Sequence, residues 1–294
     1  MHETVPHWIR RNARPLTTLD PWAPLDDLAP LRSMVGDATI IGVGAATRQA
    51  HELSVTAHRI LRFLVEELGF RALALEGDDP ERVGLGSYIR SGQGDPRAML
   101  ARARPFWRTE EILDVVTWMR AHNQRHPDDP VRFTATSRSS GQTPRSGASL
   151  DARLADDVIG WHEHSGDRIV YWGGIAHTAR SSGRLGGRLR ERFGHGYLSV
   201  GLTFERGSLP WPVPAPPANF AETALSAAGT DVSLLDLRTR RSDPVRAWLE
   251  SSASTRMIGP AQDPAEHLSG GSFGGWFDLV GHHRDVTPVH LISA

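Results

Sequence analysis

Ala38-Thr39-Ile40-Ile41-Gly42-Val43, followed by Gly44-Ala45-Ala46-Thr47-Arg48-Gln49 and then by the run His51 to Leu68, decides how this chain is read. The first six residues are apolar and β-branched enough for a buried strand, and the next six are a small-residue loop. In the third stretch Leu53, Ala57, Ile60, Leu61, Leu64, Val65 and Leu68 keep the i, i+4, i+7, i+8 spacing of one buried helical face, and Gly69 stops it. Working outward, further β-rich runs occur at Arg71 to Leu75, Val131 to Thr136, Arg168 to Trp172, Tyr197 to Thr203 and Asp231 to Leu237. A second helix is predicted over Thr109 to His122, where the threonine can cap and Glu110 and Glu111 favour the positive end of the dipole. Alternating strands and helices predict an α/β fold, a mostly parallel central sheet flanked by helices, as a single domain over 1–294. Two segments read as connections. Ser137 to Ser149 is a flexible loop or lid remnant, and the proline-rich Leu209 to Pro217 is extended and semi-rigid.

Composition narrows the chemistry. A chain of 294 residues, 39% hydrophobic and 23% charged, can bury a large core. A formal net charge of -1 supplies no global field to attract nucleic acid or an anionic membrane, so neither is an expected partner. There is no cysteine, which excludes disulfides, thiolate nucleophiles and cysteine-ligated metal centres. There is also no lysine, which excludes a lysine Schiff base and the lysine of a phosphate-binding loop. Met1-His2-Glu3-Thr4-Val5-Pro6 lacks an apolar core behind a basic region, and no run approaches a membrane span, so a cytoplasmic location is expected.

Parallel sheets place their sites at the carboxyl ends of strands. Those ends carry, in order, Thr47 and Arg48, Glu76, Ser137, Gly174 and His177, and Glu205. Histidine pairs at His122/His126, His162-Glu163-His164 and His282-His283 lack a carboxylate at a metal-binding spacing, and no metal or other cofactor is expected. No serine nucleophile elbow follows a strand. Gly270-Gly271-Ser272-Phe273-Gly274 carries no helix signal of its own, and Gly183-Arg184-Leu185-Gly186-Gly187 has the wrong spacing for a phosphate loop. Trp107, Trp172, Trp211 and Trp276 are core candidates that could also line an apolar pocket.

Specific motifs extend along nearly the whole chain. They include Trp8-Ile9-Arg10-Arg11-Asn12-Ala13, Arg62-Phe63-Leu64-Val65-Glu66-Glu67-Leu68-Gly69-Phe70, Ala74-Leu75-Glu76, Trp107-Arg108-Thr109-Glu110-Glu111, Gly270-Gly271-Ser272-Phe273-Gly274-Gly275-Trp276-Phe277-Asp278 and Val286-Thr287-Pro288-Val289. In these the chain resembles the erythromycin esterase family. That resemblance implies an α/β core with a helical insertion, and metal-independent hydrolysis of a macrolide lactone by a histidine-activated water. The departures gather where chemistry is expected. The family's Gly-Glu-Ala-Thr-His-Gly reads Gly44-Ala45-Ala46-Thr47-Arg48-Gln49, so Ala45 and Arg48 stand where the catalytic glutamate and histidine would be. Ala57 replaces a basic residue, and Trp-Ala-His-Asn-Ala-His reads Trp172-Gly173-Gly174-Ile175-Ala176-His177. Most of the helical insertion after Phe133 is missing.

What the resemblance leaves is Glu76 and His177 as expected catalytic residues, with Glu52 and Arg59 on a pocket-lining helix. Arg48, Thr47, His51, Trp107, Trp172 and Glu205 complete the expected substrate-binding set. Arginine cannot act as a base, and a cation at a helix start is unfavourable by about 0.3–1 kcal/mol, so Arg48 needs a partner: a substrate anion or Glu76. Three functions are consistent with this set. One is an enzyme of bacterial natural-product biosynthesis, using acid/base chemistry for cyclisation, elimination, isomerisation or hydrolysis of a hydrophobic small molecule. The second is a non-catalytic small-molecule binder. The third is a macrolide esterase in which His51 moves into the lost position. The oligomeric state stays open.

Overall fold

The computed structural model describes residues 3–77, 80–134, 149–239, 241–259, 263 and 265–292. Eleven strands occur among them: β1 (Arg14–Pro15), β2 (Ile40–Ala45), β3 (Ala72–Leu75), β4 (Arg132–Phe133), β5 (Ile169–Gly174), β6 (Tyr197–Ser208), β7 (Pro212–Val213), β8 (Val232–Asp236), β9 (Ser252–Arg256), β10 (His267–Ser272) and β11 (Leu279–Val286). The main sheet has the order β1-β8-β11-β6-β2-β5-β3-β4, with β7 on the far end of β6. From β11 to β4 all neighbours are parallel, whereas β8 runs antiparallel to β11, and β1 to β8. Helices cover this sheet, as the strand and helix alternation predicts. β9 and β10 form a separate antiparallel pair.

The helix His51–Leu68 forms with the bounds its periodicity predicts. Leu53, Ala57, Ile60, Leu61, Leu64 and Val65 are buried, and Leu68 is half-buried. Gly69 adopts φ 72°, a conformation that favours glycine, and so ends it. The second helix runs Glu110–Arg125, ending three residues later than expected, with Thr109 as its cap accepting a hydrogen bond from the Ile112 N–H at 3.3 Å. Strand bounds differ more. β2 continues into Gly44 and Ala45 because both β5 and β6 pair with these residues, and glycine fits at 44 because a Cβ there would lie 2.8 Å from the Ile175 Cα. β6 runs on to Ser208 because β11 and β7 pair with its second half.

Five strands escape the sequence reading: the two-residue β1 and β7, and β9, β10 and β11. In β11 the apolar pattern is interrupted by Gly281-His282-His283, yet both histidines are buried. His282 bonds Thr203 Oγ1 at 3.0 Å and Ser226 Oγ at 3.1 Å, and His283 bonds Thr56 Oγ1 at 3.0 Å. Polar side chains paired in this way can occupy a central strand. β9 and β10 are short and polar. Contrary to expectation, Phe273–Trp276 forms a short helix, capped by Ser272, whose Oγ accepts from the Gly275 N–H at 3.2 Å. The expected loop 137–149 lies outside the described residues except for Ser149, as does Ser137. No helix among the described residues is long and apolar enough to cross a membrane.

Candidate active site

β2 lies between β5 and β6, and β5 lies between β2 and β3, so the loops leaving β2, β3 and β5 meet at one carboxyl edge. The register aligns Ala45 with Gly174 and Leu75 with Trp172, which brings the residues that follow each strand to the same level. Glu76, immediately after β3, is buried there. Its Oε2 accepts the Gly174 N–H at 2.6 Å, and its Oε1 is ion-paired with Arg48 Nη2 and lies 3.5 Å from His177 Nε2. The indole N–H of Trp107 donates to the Glu76 carbonyl at 3.2 Å. Arg48 lies over the Phe106 ring, 4.3 Å from its centroid, and Trp107 packs edge-on against Trp172. The guanidinium thus sits between an aromatic floor and a carboxylate, and its Nε is buried without a hydrogen-bond partner.

His177 belongs to the short helix Ile175–Thr178 that follows β5 directly. Its Nδ1 is 2.7 Å from Oδ1 of Asp151, in the first turn of the helix Leu150–Ser165, which Ser149 caps. Because an ionised carboxylate only accepts, Nδ1 carries the proton and Nε2 is left as the basic nitrogen. Asp151 is itself fixed: Oδ1 accepts the Leu185 N–H at 3.0 Å and Oδ2 lies 3.4 Å from Arg184. Burial works to raise its pKa, but the bonds from His177 and Leu185 outweigh it, and the carboxyl is held below its ordinary value. Burial works to lower the His177 pKa. The bond to Asp151 and the charges of Glu76 and Asp151 outweigh that and the opposing charge of Arg48, so the imidazole is raised above its ordinary value. The result is a continuous chain Arg48–Glu76–His177–Asp151.

The structure brings Arg48, Glu76, His177, Trp107 and Trp172 together and separates the other expected residues from them. Thr47 is buried, and its Oγ1 accepts the Gln49 N–H at 3.3 Å, a turn-forming contact. His51 is bound through Nδ1 to Glu111 at 2.7 Å. Glu52 takes both the N–H and the hydroxyl of Thr287, each at 2.7 Å. Arg59 faces away from the cluster: fully buried, it pairs with Asp27 and donates to the carbonyls of Thr18 and Pro24 at 2.8 Å. Its charge needs an internal carboxylate, and one from the N-terminal segment supplies it. Glu205 lines a separate pocket with Arg206, Thr223 and Arg284.

Asp151 was invisible in the sequence, since no motif links it to a histidine 26 positions on. The signal available was Ser149 before an acid in a helical first turn. His122 is buried against Trp118, with burial pushing its pKa down to about 4.

A sequence profile of the family described as erythromycin esterase matches residues 65–135 and 134–286, well over half of the chain. The chain belongs to the erythromycin esterase family. Among curated relatives of this esterase-family chain, YbfO of Bacillus subtilis (strain 168) is 30% identical over 129 residues, 44% of this chain and 28% of that protein. Erythromycin esterase type II of Escherichia coli is 28% identical over 117 residues, 40% of this chain and 28% of that protein. The matched part thus spans less than a third of these curated relatives. A solved structure of a Bacillus cereus protein superposes with a TM-score of 0.83 at 20% identity, covering 98% of both chains, and establishes the fold. Within this erythromycin esterase fold, Ala45 is the buried last residue of β2, and Arg48 projects from the loop that follows.

Proposed function

We propose that this protein is a hydrolase-type acid/base enzyme acting on a small, largely apolar natural product with an ester or lactone bond, in the cytoplasm. His177 is the general base and Asp151 orients it. The observation that carries this reading is the 2.7 Å contact between His177 Nδ1 and a buried, doubly anchored Asp151. A carboxylate in that position fixes the imidazole tautomer and stabilises the imidazolium that forms on proton uptake. In the reaction Nε2 takes a proton from water as the oxygen attacks the carbonyl carbon, and the same proton then passes to the leaving alcohol. Glu76 Oε1, 3.5 Å from Nε2, adds negative charge where the imidazolium appears. Arg48 supplies hydrogen-bond donors for the developing oxyanion. The dyad would begin a cyclisation, elimination or isomerisation by the same proton removal.

The test is turnover of macrolides, simple lactones and aryl esters, with ring-opened product read by mass spectrometry. Loss of a general base reduces rates by about 10²- to 10⁴-fold, and His177→Gln should fall in that range. Full activity in His177→Gln would reject the assignment. One observation favours a second reading, a non-catalytic binder: both oxygens of Glu76 are already engaged, by Arg48 and by Gly174. Stoichiometric binding with every ligand recovered unchanged would support it instead.

A further inference from the structure

His51, Glu111 and His290 come from three distant parts of the chain, yet one ligand atom from each lies within 4.8 Å of the other two. We propose that this trio is a divalent transition-metal site, with zinc as its natural class of ion. Glu111 is buried in the first turn of the helix Glu110–Arg125. Its Oε1 receives three contacts: His51 Nδ1 at 2.7 Å, His290 Nδ1 at 2.8 Å and the His290 N–H at 3.1 Å. Its Oε2 is buried and has no hydrogen-bond partner. A buried carboxylate with one orphaned oxygen, facing two imidazoles whose rings meet edge to face at 5.1 Å, is a donor set short of one electrophile.

Two imidazole nitrogens and one carboxylate are the ligand set of a three-protein-ligand zinc centre with its fourth position open. Metal–ligand bonds of about 2.0–2.2 Å put tetrahedral ligands roughly 3.3 Å apart. The present nitrogen–oxygen spacings must therefore widen by about half an ångström. His290 can move that far, because its side chain is 67% exposed in the segment beyond β11. Each imidazole would keep its proton on Nε2 and coordinate through Nδ1. The ion would replace the two hydrogen bonds to Oε1 and join the C-terminal segment to the starts of two helices. Bridges at Ala50–Pro288 and Thr109–Leu291 already place that segment beside both helix starts. The three residues contribute nothing to the Arg48–Glu76–His177–Asp151 chain, so the site is separate from the proposed reaction.

Zinc chloride titrated into chelator-treated protein, followed by calorimetry and by thermal unfolding, tests the site. One equivalent should bind, with a rise in Tm, and cobalt in its place should give the visible bands of a histidine-ligated tetrahedral ion. His290→Ala sits on an exposed side chain and should fold, yet weaken binding at least about 100-fold. His164→Ala, on a solvent-facing position elsewhere, should change nothing. Absence of a stoichiometric event, or an unchanged affinity in both His290→Ala and His51→Ala, overturns the proposal. Binding lost equally in His164→Ala, which marks adventitious surface histidines, overturns it as well.

Discussion

Replacing Gly173 by alanine should unseat Glu76 and cost far more than the same change one residue later. A Cβ at Gly173 would overlap Oε2 of Glu76 and stand 2.9 Å from the Glu76 Cβ and 2.8 Å from a Tyr171 ring carbon. The Glu76 Cβ is anchored to β3, so relief comes only from moving the strands apart or rotating the carboxylate away. Overpacking of this kind costs about 1–3 kcal/mol. Rotation also removes the 2.6 Å bond from the Gly174 N–H. A hydrogen bond to a charged group contributes about 1.5–3 kcal/mol, so a total loss of about 2.5–6 kcal/mol is expected. At Gly174 the nearest atoms to an added Cβ are Arg48 Nη2 at 3.3 Å and Glu76 Oε2 at 3.5 Å. The first is the end of a flexible side chain that can yield, and Gly174 already has extended dihedrals, so Gly174→Ala should cost under about 1 kcal/mol. Urea unfolding followed by tryptophan fluorescence measures both. The argument fails if the two variants differ by less than about 0.5 kcal/mol, the scatter of neutral substitutions.

Other expectations follow from the same geometry. In Asp151→Asn the group that raises the His177 pKa is lost. Activity needs the neutral imidazole, so the acidic limb of the rate profile should move to lower pH while the plateau falls by about 10²-fold or more; an unmoved limb would show that another group titrates. His58, His282 and His283 are each pushed down to about 3 by burial, with neighbouring cations adding to the shift for His58 and His282. Their folded pKa values lie below the unfolded ones, so the stability is present above about pH 6.5 and is lost as pH falls, by about 4 kcal/mol per pH unit near pH 5. Urea midpoints at pH 7, 5.5 and 4.5 would expose a flat profile if this is wrong. Arg48→Ala leaves Glu76 Oε1 without its cation, and substrate or ligand affinity should drop at least tenfold; indistinguishable binding and turnover would mean the substitution at this position is neutral.

The parts of the fold that could be read were those where one local rule governs. His51 to Leu68 shows its buried face in its own spacing and its end in Gly69. β11 could not be read, because His282 and His283 occupy a strand interior on the strength of partners at Thr203, Ser226 and Thr56, none of them close in sequence. The site divides in the same way. Strand ends marked Arg48, Glu76 and His177, since parallel topology assigns a place to whatever follows a strand. Asp151 enters from a helix packed on the sheet, and Arg59 turns to Asp27 of the N-terminal segment rather than to the pocket, a partner that periodicity cannot reveal. The trio His51, Glu111 and His290 was hidden for the same reason: its spacing exists only after folding.

The position of β2 has a consequence for synthesis. Its residues 40–45 hydrogen-bond to residues 169–174 on one side and 197–202 on the other. On a ribosome this apolar strand therefore emerges long before either neighbour, with both edges bare, and the centre of the sheet is closed late rather than early. Nascent chains arrested before residue 197 should expose β2 to protease, and chains released there should recruit holdase chaperones. The strand that organises the finished molecule is thus its greatest hazard while it is being made.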